Sequence, residues 1–355
     1  MLLPLLSGKI TRPQFTKLFA LAVAVSLCAA SATAQAPSFV SFDPPDSTQG
    51  TNPVAINQNG VITGWYVGKT SETHGFVRSA TGVITEFDPV GLGDTFPTAI
   101  NSNGTVVGFA GKSNDRESVE QGFLRTPSGH ISGIFVVGLR DTEPFGINDG
   151  GQVAGAADDN NGHWTAFLRN TTGVYTTFQA PDAGSAADQG TMPKAINAGG
   201  LITGDYIDAS NVHHGFVRDA SGTITEFDAP VVATFTGTGT FPNAINTKGQ
   251  IAGTYRGNDR KIHAFVRDPS GVLTTVDMPN EDQTFPVSIN DGGAMAGVIV
   301  KGQRFTGYRR DALGNFFAVS APAPNTGTSV NSINNRNRMT GTYVDPSGIF
   351  HGFVQ

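Results

Sequence analysis

The chain has 355 residues, 45 of them Gly and 20 Pro, with a single Cys and only 15% charged residues. That composition excludes a coiled coil, a disulfide-stapled mini-domain and a multi-pass membrane protein, while 38% hydrophobic content with 24 Phe is ample for a core. A formal net charge of −6 gives no basic footprint for nucleic acid.

The first 34 residues read as a secretory signal peptide. Lys9, Arg12 and Lys17 supply the basic start, Leu18 to Ala30 the short apolar run, and Ala32-Thr33-Ala34 the small-residue cleavage site. Cleavage near Ala34 removes three basic residues and Cys28, taking the formal charge from −6 to −9 and leaving a chain without cysteine. The expected location is periplasmic or extracellular, with no membrane anchor and a monomer by default. Residues 35–355 are expected to form one domain.

Behind the leader a single unit recurs seven times. The dipeptide Ile-Asn ends at Asn57, Asn101, Asn148, Asn197, Asn246, Asn290 and Asn334, at spacings of 44 to 49 residues. Five residues before each Ile stands a Thr: Thr51, Thr95, Thr142, Thr191, Thr240, Thr284 and Thr328. In the fourth copy, Pro193 to Ile196 reads as a first strand and Asn197-Ala198-Gly199-Gly200 as a type I turn. Leu201 to Ile207 is the second strand, His214 to Arg218 the third, and Thr223 to Phe227 the fourth, with alternating polarity. Arg78, Arg125, Arg169, Arg218, Arg267 and Arg310 each precede a Gly by four residues, and Gln355 stands at the seventh place.

Four short strands per unit of about 45 residues suit a β-propeller blade. The seventh copy has no fourth strand after His351 to Gln355, while Phe39-Val40-Ser41-Phe42-Asp43 matches the fourth-strand run Thr225-Glu226-Phe227-Asp228 with no copy before it. The expected fold is therefore all-β: a seven-bladed β-propeller of four-stranded blades, its ring closed by the N-terminal strand completing the last blade. Long, irregular second-to-third and fourth-to-first links are expected on one face, where a ligand site belongs.

Periodic residues argue for structure, since a ligand site breaks symmetry. Thr, Asn and Arg at fixed places are read as satisfying backbone groups. The third-strand His74, His214, His263 and His351 are replaced elsewhere by Gln121, Thr165 and Thr306, so metal ligation is no requirement of the repeat. Candidate catalytic groups are the loop acids Asp115, Glu117, Asp141, Glu143 and Asp158, with His163; further acids are Glu120, Asp159, Glu281 and Asp282. Candidate ligand contacts are Trp164, Arg256, Arg260 and Lys261, the last three as a clamp for uronate carboxylates; Trp65, Phe96, Phe241 and Phe285 are candidates for sugar stacking or for packing between blades. The run Asp158 to His163 has the composition of a calcium loop but lacks its alternating ligands and terminal Glu, so no metal or cofactor is assigned and calcium stays only an alternative. No nucleophile elbow, zinc-protease, phosphate-loop or dinucleotide motif occurs.

The copies resemble the bacterial extracellular HAF repeat. His263-Ala264-Phe265 carries the His-Ala-Phe core, and His74-Gly75-Phe76, His214-Gly215-Phe216 and His351-Gly352-Phe353 carry it with Gly in the middle, while Gln121-Gly122-Phe123, Thr165-Ala166-Phe167 and Thr306-Gly307-Tyr308 depart from it. The resemblance covers the mature chain and implies an exported propeller-like repeat protein of unestablished activity; it transfers no catalytic residue. Two functions are carried forward: a non-catalytic scaffold binding a glycan, a cell-surface component or a protein, and a carbohydrate-active enzyme, a glycoside hydrolase or polysaccharide lyase, working at the channel mouth.

Overall fold

A computed structural model describes residues 38–112, 119–230, 235–322 and 324–355. The leader expected at 1–34 and the candidates Asp115 and Glu117 lie outside these residues. The described chain is built of short strands without a helix. Each of the first six repeats forms an antiparallel four-stranded meander, as in the fourth copy, where Gly190–Ile196, Ile202–Ile207, His213–Arg218 and Ile224–Phe227 pair in sequence.

The first strand begins three residues ahead of the expected Pro193. Every first strand carries a one-residue irregularity beside its third or fourth residue, as between Pro193 and Ala195. Pro donates no hydrogen bond to a ladder, and a bulge is where its absence is tolerated. The bulge swings the first-strand backbone towards the second strand, and in every copy the residue beneath it is a Gly. At Gly204 an added Cβ would lie 2.1 Å from the Met192 carbonyl oxygen.

The second copy pairs Asp94–Ile100, Val106–Gly111, Gln121–Arg125 and Ile131–Ile134, and the seventh pairs Gly327–Ile333, Met339–Val344 and Phe350–Val354. The fourth strand on that last sheet is Val40–Phe42, with Val40 opposite Val354 and Phe42 opposite Gly352. Phe39 stacks on Phe353 at 4.6 Å, extending the same junction. First strands neighbour one another in chain order, and Gly327–Ile333 also neighbours Gly50–Ile56. The core lies between successive sheets: Phe76, Phe123, Phe167, Phe216, Phe265 and Phe353 are all buried at one third-strand position, with Tyr308 in the sixth copy.

The recurrent polar residues hold this arrangement. Asn197 Oδ1 accepts the backbone N–H groups of Gly199 and Leu201, and its Nδ2 donates to the Asn246 carbonyl at 2.9 Å. The Nδ2 donation repeats from copy to copy and returns from Asn334 to Asn57 at 3.0 Å. The Thr side chains are buried, and those of Thr191, Thr240, Thr284 and Thr328 accept a backbone N–H from the link that precedes them, as Ala180 N to Thr191 Oγ1 at 2.9 Å and Ala321 N to Thr328 Oγ1 at 3.0 Å. Arg78, Arg125, Arg218 and Arg267 lie 4.7 to 4.9 Å over Phe42, Phe87, Phe178 and Phe227 of the preceding sheet. Each thus joins two sheets by a cation–π contact.

Because Asn197 is buried and its side chain makes three hydrogen bonds, Asn197→Ala is expected to cost about 2–4 kcal/mol. Urea unfolding should show this as a lower midpoint at unchanged slope. An unchanged midpoint would remove the Asn contacts from the account of stability.

Candidate functional site

The two ends of the first strands differ. At the end bearing the Asn turns, a cavity of about 200 Å³ is lined by the Ile-Asn pairs of the repeats and by the variable residues after them, including Ser102, Asp149, Asp291 and Asn335. These polar groups are satisfied by one another: Ser102 N and Oγ donate to Asp149, and Thr247 N donates to Asp291 Oδ1 at 2.8 Å.

At the opposite end, where first strands begin and second-to-third links emerge, the repeat is broken in one sector. Glu143 stands at a place occupied elsewhere by Asn52, Phe96, Met192, Phe241, Phe285 and Ser329. Two residues further along, Lys194 is the only charged residue where the other copies carry Val54, Thr98, Phe145, Asn243, Val287 and Asn331. Asp205 stands opposite Met192 on the next strand. Its Oδ2 lies 2.7 Å from His213 Nδ1 and its Oδ1 3.9 Å from Lys194 Nζ. The Asp205 side chain is 3% exposed, and its Oδ1 accepts no hydrogen bond. Phe241 stacks against His213 at 4.6 Å, and Lys194 Nζ lies 5.1 Å over Phe145.

The structure brings four of the predicted acids into this sector: Glu120, Asp141, Glu143 and Asp158. Glu120 N donates to Asp141 Oδ1 at 2.8 Å, and Asp141 N donates to Asp158 Oδ1 at 3.0 Å. Burial and a hydrogen bond shared with Glu120 raise the Glu143 carboxyl to about 8, against the pull of the Lys194 ammonium. Burial likewise raises Asp158, with the Asp141 backbone N–H opposing it and the Asp141 charge adding to it. Arg140 Nε is 3.9 Å from Asp141 Oδ2. Burial first, and the neighbouring acids second, leave Glu143 holding a proton near neutral pH.

Among the other predicted residues, Trp164 stands opposite Asp158 on the adjacent strand. His163 faces Gln179, whose Nε2 also meets the Trp164 carbonyl and Thr165 Oγ1. Asp159 spends its carboxylate on its own turn, accepting from Asn161 N and His163 N, which lowers its pKa. Arg256 lies over Phe235 at 5.9 Å, and Arg260 adopts a left-handed turn with φ of 67°. Trp65 meets Phe96 at 6.0 Å across two copies. Glu281 and Asp282 fall in the link before Gln283–Ile289, where Asp282 accepts from Gly302 N. Among the described residues no group of three or more His, Cys, Asp or Glu is placed to hold a metal ion.

Sequence reasoning passed over Lys194, Asp205 and His213, although the first two are visible as charges at places that are otherwise uncharged. It also missed the partners of the recurrent His. Tyr66, Tyr206, Tyr255 and Tyr343 stack on His74, His214, His263 and His351 at 5.0 to 5.3 Å. Each of those His bonds through Nδ1 to Asp88, Asp228, Asp277 or Asp43 at 2.6 to 2.8 Å. Where the His is Gln121, Thr165 or Thr306, the residue opposite is Ala110, Ala157 or Ile299, and Phe135, Gln179 or Ser320 stands at the Asp place. Tyr, His and Asp therefore come and go together, as a local clamp between strands.

His263 and His351 are held by carboxylates on both ring nitrogens. Burial opposes their protonation, but hydrogen bonds to Asp277 and Asp259, and to Asp43 and Asp345, outweigh it and raise both pKa values. A raised folded-state pKa contributes stability that is complete below the unfolded value of about 6.5 and is lost as pH rises through the folded value. The double variant His263→Gln, His351→Gln is thus expected to destabilise the protein more at pH 5.5 than at pH 8.5, read from thermal midpoints at the two pH values. An equal loss at both would mean that the fold leaves the imidazole pKa values where they lie in the unfolded chain.

No protein-family model and no curated protein matches the chain. Solved structures do. A streptogramin B lyase aligns with a TM-score of 0.58 at 13% identity, over 90% of this chain and 97% of that one. Virginiamycin B lyase from Staphylococcus aureus gives 0.52 at 18%, over 90% and 99%. The β-propeller domain of the trilobed protease from Pyrococcus furiosus, described as having an open velcro topology, gives 0.58 at 8%, over 86% and 95%. At such identities the likeness establishes the fold and not the chemistry: the chain is an all-β protein with the β-propeller fold.

Proposed function

We propose that the protein is a secreted, non-catalytic binding scaffold of the HAF-repeat type, built as a closed seven-bladed propeller, whose ligand enters at the long-loop end of the axis beside Glu143 and Lys194. The ring reading is supported by the Asn hydrogen bonds that return from Asn334 to Asn57 and by the pairing of Val40–Phe42 with Phe350–Val354. The site reading is carried by one observation: Glu143, Lys194 and Asp205 place charge in one sector at positions uncharged in the other copies. Rigid propellers commonly carry function on such departures from symmetry.

The test is binding to an array of neutral, anionic and cationic glycans and peptides, run beside reducing-sugar and unsaturated-uronate assays. Binding without turnover, weakened at least about tenfold by Asp205→Asn, is expected. Turnover of a glycan would overturn the scaffold reading. A second reading, a glycoside hydrolase or polysaccharide lyase, is favoured by Glu143, an acid that holds its proton near neutrality and is linked through Lys194 to the Asp205–His213 pair. It requires turnover that Glu143→Gln abolishes.

A further inference from the structure

The surplus of negative charge at this site has a physical consequence for what it takes. Five carboxyl groups, those of Glu120, Asp141, Glu143, Asp158 and Asp205, share the sector with Lys194, Arg140 and His213. Glu143 keeps a proton, held first by burial and then by the hydrogen bond and charge of Glu120, and a hydrogen-bond donor is missing at Asp205 Oδ1, which is buried and accepts no hydrogen bond. Phe145 and Phe241 lie against the cluster itself. They offer aromatic surface to an alkyl stem and to a positive charge. Resting on the binding reading above, we propose that this site receives a lysine or arginine side chain presented by a segment of a partner protein, its cation taken by the carboxylates and its stem by the two Phe rings.

Other chemistries fit less well. A uronate or sulfated glycan would bring a like charge to the carboxylates, and no hydrogen bond or ion pair given by the described residues links Arg256, Arg260 or Lys261 to the cluster. A neutral sugar would supply a donor to Asp205 but leave the surplus charge unrelieved. The acidic balance of the whole chain, −6 overall, adds long-range attraction for a basic partner.

The proposal is tested with the full-length protein, a lysine heptapeptide, its Nε-acetylated form and the neutral glycans of the array, by calorimetry from pH 6 to 9. The lysine ammonium keeps its charge to about pH 10. Below the pKa of Glu143 a bound cation must expel that carboxyl's proton, so affinity should rise with pH by up to about tenfold per unit while this persists. The acetylated peptide should bind at least about tenfold more weakly. Glu143→Gln should abolish the rise with pH, and Asp205→Asn should weaken binding at every pH, with thermal midpoints confirming that both fold.

Equal binding of the acetylated peptide, or no rise in affinity with pH, would overturn the proposal. Binding of a neutral glycan without the peptide would overturn it and leave the scaffold standing. Binding of nothing, or turnover of a glycan, would bring down both.

Discussion

Gly204→Ala should lower the thermal midpoint by roughly 8 °C or more, on the scale of about 4 kcal/mol or above for a chain of this size. The added methyl has nowhere to go. It would sit 2.1 Å from the Met192 carbonyl oxygen and 2.7 Å from Pro193 Cα, both backbone atoms. Rotation of a flexible side chain cannot relieve that clash, so the first strand must lift from the second. Thr203→Ser, on the neighbouring residue, removes a methyl and keeps the hydroxyl that donates to the Phe216 carbonyl at 2.9 Å. It serves as the control and should shift the midpoint by much less. If Gly204→Ala melted like the parent, the close approach at the bulge would not be a feature of the folded protein.

Deleting Ser38 to Asp43 should be comparably severe. The last sheet would lose the pairing of Val40–Phe42 with Phe350–Val354, the Phe39–Phe353 stack, the contact of Ser41 Oγ with Tyr343 and the Asp43 partner of His351. Arg78 would lose the Phe42 ring beneath it. Two partly buried Phe and several hydrogen bonds together amount to about 5 kcal/mol. The deletion also leaves Phe350–Val354 as an open sheet edge, so size-exclusion chromatography should show self-association. A synthetic peptide of residues 38–45 added in trans should restore both the midpoint and the monomer by strand addition. An unaltered midpoint, or no rescue by the peptide, would show that the strand is not part of the cooperative unit.

The sequence carried the fold well because each element is dictated locally. Gly in turns, alternation in strands and Asn before a tight reversal are short-range effects, and seven copies of them reinforce one another. The fourth strand supplied from residues 40–42 was legible for the same reason, through its likeness to Ile224–Phe227. What escaped depends on distances between strands. The Gly at position 204 looks like any strand Gly until the bulge at Pro193 brings a carbonyl over it. The pairing of Tyr206 with His214 and Asp228 lies in the sequence as three residues that vary together, but only the register shows them to be neighbours.

The candidate site was half legible. Asp141, Glu143 and Asp158 stood out as loop acids, and Glu120 with them, yet Lys194 was hidden inside a strand that seemed to belong wholly to the repeat. Asp205 was passed over for a similar reason, since a buried strand is not where a sequence reader seeks charge. His163 and Trp164 drew attention by their chemistry, whereas their surroundings tie them to Gln179 and the local turn.

The Asn contacts carry one more consequence. Since each copy holds the next through the same donation from Asn Nδ2 to a backbone carbonyl, and Asn334 holds Asn57 as Asn197 holds Asn246, these inter-copy bonds do not record where the polypeptide starts. Joining residue 355 to residue 38 and opening the chain at another third-to-fourth turn, such as Ser221-Gly222, would leave every one of them intact. The chain of Asn bonds is in this sense cyclic, passing from each Asn to the next and from Asn334 back to Asn57.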